Sequence, residues 1–229
     1  MTAVFCFSGS GHSLCVAEFI AQELRTSVRP ISTKKPTSTA FYETAVIVFP
    51  VYCQNIPNPV KSFLKNIKAK NIVIIATYGK ISHGNVLSEA KRLSSGKVIT
   101  GAYVPMGHAF LNETDEFDKK ALLPILKRIE NPGDAKTPRK RKNVFANFLP
   151  AWRSRISVKI VRSDNCSRCN LCGNNCPMNA IKNGIPNNKC IRCLKCVANC
   201  PPKALSFKTG TILTKYLTKN RQYKNIEIY

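Results

Sequence analysis

The chain is 229 residues long, and no stretch of it is long or apolar enough to span a bilayer. It carries 36 Lys and Arg against 12 Asp and Glu, a formal net charge of +24 at pH 7. That balance excludes an acidic surface and attracts acidic partners. It is concentrated late: residues 1–130 hold 16 basic against 9 acidic groups, and residues 131–229 hold 20 against 3.

The opening run, Ala3 to Phe7, reads as a strand, with no charged-then-apolar leader pattern before it. It leads into Ser8-Gly9-Ser10-Gly11-His12-Ser13, after which Leu14, Ala17, Ile20, Ala21 and Leu24 recur at helical spacing. Strand, small polar loop and helix present backbone N–H groups and a helix N-terminus to a phosphate. The hydroxyls of Ser8, Ser10 and Ser13 add donors. The loop lacks the lysine of a nucleoside-triphosphate loop, and Leu14 stands where a dinucleotide fingerprint needs its third glycine.

Further strands are predicted at Val28–Ser32, Thr44–Phe49, Asn71–Thr77 and Lys97–Val104. Helices are predicted over Pro59–Lys68, Val86–Leu93 and Phe117–Glu130, the first capped by Asn58 with Pro59 at its first position. The alternation predicts a doubly wound α/β domain with a five-stranded parallel sheet over residues 1–130. Ligands of such sheets sit at the carboxyl ends of the strands, where Pro50-Val51-Tyr52 and Thr77-Tyr78-Gly79 fall. Cys6 and Cys15 read as buried small hydrophobes, Cys53 as a loop thiol, and His83 and His108 as loop residues.

Asn131-Pro132-Gly133 breaks the helical pattern, and a basic linker is expected over 131–160. Its densest part is Lys136-Thr137-Pro138-Arg139-Lys140-Arg141-Lys142, with no interleaved aromatic residues to stack on bases, so nucleic acid is not the expected partner. Phe145, Phe148, Leu149 and Trp152 then mark an amphipathic tether packed against one or both domains.

Eight of the 11 cysteines form two copies of C-x-x-C-x-x-C-x-x-x-C-P, offset by 24 residues. The copies are Cys166, Cys169, Cys172, Cys176 with Pro177, and Cys190, Cys193, Cys196, Cys200 with Pro201. This is the ligand run of bacterial two-cluster ferredoxins, in which the fourth cysteine of each run serves the other cluster. Cys166, Cys169, Cys172 and Cys200 are thus assigned to one 4Fe-4S cluster, and Cys176, Cys190, Cys193 and Cys196 to the other. Disulfides belong to secreted modules, and structural zinc uses two C-x-x-C pairs without the repeated proline. The pattern places a small α+β ferredoxin domain at 161–209, followed by a basic C-terminal tail at 210–229.

Together these segments resemble the flavodoxin–ferredoxin fusion family of anaerobes. Ser8-x-Ser10-Gly11-His12-Ser13 is similar to the flavodoxin phosphate loop, although His12 stands where the family has Asn or Ser. The loops Phe49-Pro50-Val51-Tyr52 and Thr77-Tyr78-Gly79 fall where flavodoxins enclose the flavin ring, and Arg221-Gln222-Tyr223-Lys224-Asn225 resembles the family tail. The resemblance implies FMN, its phosphate on Ser8, Gly9, Ser10, Gly11, His12 and Ser13, and its ring flanked by Tyr52 and Tyr78. It also implies a cytoplasmic electron carrier relaying electrons between FMN and two 4Fe-4S clusters, with an acidic ferredoxin, flavodoxin or reductase as partner. A flavin-dependent reductase would instead need a substrate pocket beside the ring, near His108 or Asn112. A basic iron–sulfur protein that binds nucleic acid would need no flavin.

Overall fold

The computed structural model describes residues 1–33, 40–111, 113, 116–136, 146, 150–219, 221 and 225–229. Five parallel strands form the first half: β1 (Thr2–Cys6), β2 (Val28–Pro30), β3 (Phe41–Pro50), β4 (Lys68–Tyr78) and β5 (Lys97–Pro105). They lie in the order β2-β1-β3-β4-β5, the flavodoxin-like doubly wound arrangement, with its switch point between β1 and β3. The central strands are apolar on both faces because helices cover both. Val46, Val48, Val73 and Ile75 pack with Val16, Ala17 and Ile20 of α1 (His12–Glu23) and Ile125 of α4 (Leu123–Glu130). Ala45, Ile47, Ile72 and Ile74 turn the other way, onto Val60 and Leu64 of α2 (Asn58–Asn66) and Val86, Leu87 and Ala90 of α3 (Val86–Leu93).

Two helix starts differ from expectation. Asn58 lies inside α2 rather than capping it; Pro57 is the cap, and its carbonyl accepts from the N–H groups of Val60 (2.9 Å) and Lys61 (3.0 Å). The Phe117–Glu130 pattern yields only a 3₁₀ turn at Lys120–Leu122 and then α4, which begins beside Pro124. Phe117 instead packs its ring edge-on against Phe19, centroids 6.1 Å apart.

The second half begins with α5 (Pro150–Ser157), which runs straight into β6 (Val158–Arg162). The cysteine region holds α6 (Leu171–Asn174), the hairpin of β7 (Ile181–Lys182) and β8 (Ile185–Pro186), α7 (Lys195–Ala198) and β9 (Leu205–Thr209). β6 pairs antiparallel with β9, closing the two copies into one unit. Residues 210–229, expected as a tail, carry α8 (Thr211–Lys219) and β10 (Glu227–Ile228). β10 returns to the first half and pairs antiparallel with β5, opposite Tyr103 and Ala102. The sheet therefore has six strands rather than the five expected. Gly101 and Tyr229 exchange both backbone hydrogen bonds, at 3.0 and 2.8 Å. Among the described residues, no helix is long and apolar enough to cross a membrane.

Candidate functional site

The loops after β1, β3, β4 and β5 gather at the carboxyl end of the sheet. Ser13, in the first turn of α1, is buried and shares a 2.7 Å hydrogen bond with Thr77 at the end of β4. This ties the candidate phosphate loop to the candidate ring loop. Ser8, Gly9, Ser10 and Gly11 line a cleft of about 580 Å³, with Lys195 and Asn199 of the cysteine region across it. No acidic side chain stands in the first turn of α1, so its amide dipoles are not neutralised there.

After β3, Tyr52 and Asn55 exchange backbone hydrogen bonds of 3.0 and 2.9 Å around Cys53 and Gln54. Cys53 (φ 48°) and Gln54 (φ 61°) both sit in the left-handed region without being glycine, a conformation that costs free energy and persists only where surroundings hold it. Asn55 helps hold it, donating through Nδ2 to Cys53 O and to Ala146 O, each at 2.8 Å. The Tyr52 ring meets Phe7 edge-on at 6.5 Å. Burial, and then the nearby Cys193 and Cys6, push its hydroxyl pKa well above the ordinary tyrosine value.

Tyr78, expected to flank a flavin ring, has its side chain in the core: only 4% exposed, it meets His83 at 5.0 Å and Tyr103 at 6.4 Å, and among the described residues its hydroxyl finds no hydrogen-bond partner. His83 is in the loop after β4, as expected, but its ring is buried, stacked on Tyr103 at 3.5 Å. These rings sit where β10 docks, with Glu227 Oε1 4.0 Å from His83 Nε2.

His108, half-buried, stands at the loop ends instead. Its ring covers Gly79: a Cβ there would lie 2.2 Å from the imidazole, so only glycine fits. Phe110 N–H donates to His108 Nδ1 at 3.2 Å, which leaves the ring proton of the neutral form on Nε2. Burial lowers the His108 pKa to about 4, helped by Arg221 and His12. Glu113 joins this group, accepting from His108 N–H at 2.9 Å and from Arg221 Nη2 at 2.7 Å. Arg221 is thus brought back from the tail to the flavin-type loops, and Glu113 is a residue that sequence reading missed. Asn112 and Gln222–Lys224 lie outside the described residues.

The cysteine unit repeats in backbone detail. φ is positive at Arg168, Asn170 and Asn179, and again at Arg192, Leu194 and Lys203, each 24 residues on. Asn174 N–H to Asn170 O and Ala198 N–H to Leu194 O are both 3.0 Å. Alternating right- and left-handed residues aim successive N–H groups into one concavity, the geometry of an anion nest. Gly184 N–H donates to Cys172 Sγ at 3.3 Å and Ala180 N–H to Cys176 Sγ at 3.2 Å.

Cys176 lines a small apolar cavity with Cys190, Cys193 and Cys196, closed by Ile160, Met178, Ile181 and Leu194. Burial raises the thiols of Cys193 to about 11 and Cys196 to about 12; neighbouring thiols, Cys176 among them, push the same way. Among the described residues, no three His, Cys, Asp or Glu side chains close together as around a single metal ion. The four thiols ring a cavity rather than a point.

This cavity abuts the sheet's loops. A Cβ on Gly9 would lie 2.0 Å from the Cys193 carbonyl oxygen, so the loop and the cysteine turn are in direct contact. Ile191 packs on the sheet's core, Thr33 donates to Pro177 O, and Phe110 meets Phe207 at 6.0 Å. α5 touches both halves, with Ser154 Oγ 3.6 Å from Cys53 Sγ and Arg155 donating to Asn188 O, while Trp152, expected to pack, is half exposed. Arg139–Lys142, Phe145, Phe148 and Leu149 lie outside the described residues.

No family model matches the chain, and no curated protein matches it. Similar solved structures include a candidate flavoprotein from Bacteroides eggerthii, at 20% identity and TM-score 0.39, covering 56% of this chain and 97% of that one. Another, from Bacteroides uniformis, is 15% identical with TM-score 0.40, covering 55% and 97%.

Proposed function

We propose that this chain is an electron-transfer protein with FMN at the carboxyl end of its sheet and two 4Fe-4S clusters on its crossed cysteine sets. The observation that carries this reading is the cavity that Cys176 shares with Cys190, Cys193 and Cys196. The last cysteine of one copy joins the first three of the other, as crossed ligation requires. Its apolar walls and the Ala180 N–H donor to Cys176 sulfur fit a thiolate-bound cluster, and the Gly184 N–H donor to Cys172 sulfur does the same for the other set. The 24-residue symmetry of the backbone supports the mirrored set of Cys166, Cys169, Cys172 and Cys200.

The flavin half of the reading is supported by donors rather than by a cavity. Ser8, Gly9, Ser10 and Gly11 line the cleft with Lys195, a cation suited to a phosphate, and with Glu18 further along the helix. His108, neutral, offers an Nε2–H donor beside Gly79. When bound, the flavin takes electrons singly or in pairs and the clusters pass them one at a time. The protein's own work is to hold both sites at one junction. Gly9 allows the close approach, Ile191 packs from the cysteine region onto the sheet's core, and α5 links the two halves.

Laser-flash reduction of the anaerobic protein tests this directly. Electrons delivered to the clusters should reach the flavin at a rate independent of protein concentration. A rate proportional to concentration would mean that the junction does not conduct.

A further inference from the structure

We infer that the groove beside the first cysteine set is the docking surface for a small acidic one-electron carrier protein, an inference that rests on the cluster reading above. The two sets differ in access. Cys176, Cys190 and Cys196 are buried and Cys193 is half-buried, whereas Cys169 is exposed and Cys166, Cys172 and Cys200 are half-buried. The first set is therefore the more open of the two to a partner.

Against that set lies a groove of about 350 Å³ lined by Arg162, Arg168, Lys182, Asn183 and Ile185, with no carboxylate in its walls. Arg168 stands between Cys166 and Cys169. Arg162 Nη1 donates to Asn183 O at 2.9 Å, and the next residue, Gly184, donates its N–H to Cys172 Sγ at 3.3 Å. One turn of chain therefore separates the cations from a cluster ligand. Ile185, 61% exposed, sets an apolar contact among them, the mixture of apolar centre and charged rim found in transient interfaces.

The cysteine repeat does not carry two of these cations: Pro186 and Ser206 stand 24 residues on from Arg162 and Lys182, and Arg192, the counterpart of Arg168, is buried. The groove offers no aromatic platform for bases, and it is open and shallow, which suits the carboxylates of a folded partner. In the docked pair one electron leaves the partner's reduced centre, which is oxidised, and enters the cluster on the first set, which is reduced. No bond forms or breaks and no proton moves.

The test uses the full-length, anaerobically prepared holoprotein and a purified acidic two-cluster ferredoxin. Calorimetry reads the affinity and stopped-flow reads the electron-transfer rate. Arg168→Glu with Lys182→Glu should weaken binding and slow the second-order rate by roughly tenfold at low ionic strength. The loss should fade near about 0.5 M salt, and iron content should stay unchanged. The same charge change at Lys65→Glu with Lys127→Glu, on exposed faces of α2 and α4, should cost less than about twofold, the size expected of net charge alone. If the groove variant loses iron, Lys182→Glu and Ile185→Asp, neither beside a cysteine, carry the same prediction singly. Equal losses in groove and control variants would overturn the inference, as would groove variants that bind like the wild type. Salt-sensitive capture of a single-stranded oligonucleotide that vanishes with the groove charges, and no ferredoxin binding, would overturn it in favour of nucleic acid. Wild-type protein without iron overturns the cluster reading itself, a result separate from all of these.

Discussion

The two cysteine copies share one backbone and occupy opposite environments. Each has positive φ at the same three positions, one short helix, and the same closing hydrogen bonds. Yet Cys169 is exposed, its thiol lowered chiefly by the Leu171 N–H and then by Ser167, while the matching Cys193 is pushed up to about 11 chiefly by burial. Arg168 points into solvent. Arg192, its counterpart, is only 9% exposed, donates through Nε to Val158 O at 2.8 Å, and has an Nη1 without a partner among the described residues. The difference teaches that the repeat sets the ligand geometry, whereas contact with the sheet sets the surroundings. One copy faces inward and the other outward, which under the proposed function would make the outer set the one a partner meets first.

The largest expected effect breaks the crossing. Cys176→Ala should take the iron content from about eight to about four per chain, and it should remove the cluster held by the second copy rather than its own. Resonance spectra of the surviving cluster in Cys176→Ala and Cys190→Ala should then coincide. Next comes the junction. Gly9→Val puts side-chain carbon where the Cys193 carbonyl lies, so loop and cysteine turn must part. The flash-initiated rate should fall at least about tenfold while all eight irons stay bound; an unchanged rate would mean that the electron takes another path.

Arginine substitutions sharpen the contrast between the copies. Arg192→Gln removes a buried positive charge beside the second set, which favours the more negative, reduced cluster. That cluster's potential should drop by about 65–130 mV, the equivalent of about 1.5–3 kcal/mol for one electron. Arg168→Gln, exposed and screened, should move the first cluster far less. The smallest effect lies on the sheet side. His108 is held neutral by burial, with its pKa lowered from 6.5 to about 4. Between those values the unfolded chain binds more protons than the folded one. Stability from this site is therefore complete above about pH 6.5 and is lost as pH falls toward 4. Urea unfolding of His108→Gln should show a shallower loss across that window, by at most about 3 kcal/mol.

Much of this was legible in the sequence because it is written in local periodicity. The apolar runs of β3 and β4, and the helix Val86–Leu93, follow from neighbouring residues alone. The cysteine spacing likewise carries its own geometry. What escaped depends on distant partners. β10 is two residues long and exists because β5 offers an open edge. Tyr78 turned out to be core because His83 and Tyr103 enclose it, which no loop pattern states. Glu113 becomes part of the site only when Arg221 returns to it. Leu194 holds a left-handed φ of 61° with neither Gly nor Asn, which the offset from Asn170 reveals only once the backbone is seen.

The central claim is one flavin and two clusters meeting at a single junction. Iron, acid-labile sulfide and flavin measured on one anaerobic sample test it most directly. About eight irons, eight sulfides and one FMN per chain are predicted. One or two irons without sulfide, or full clusters with no flavin retained, would contradict it.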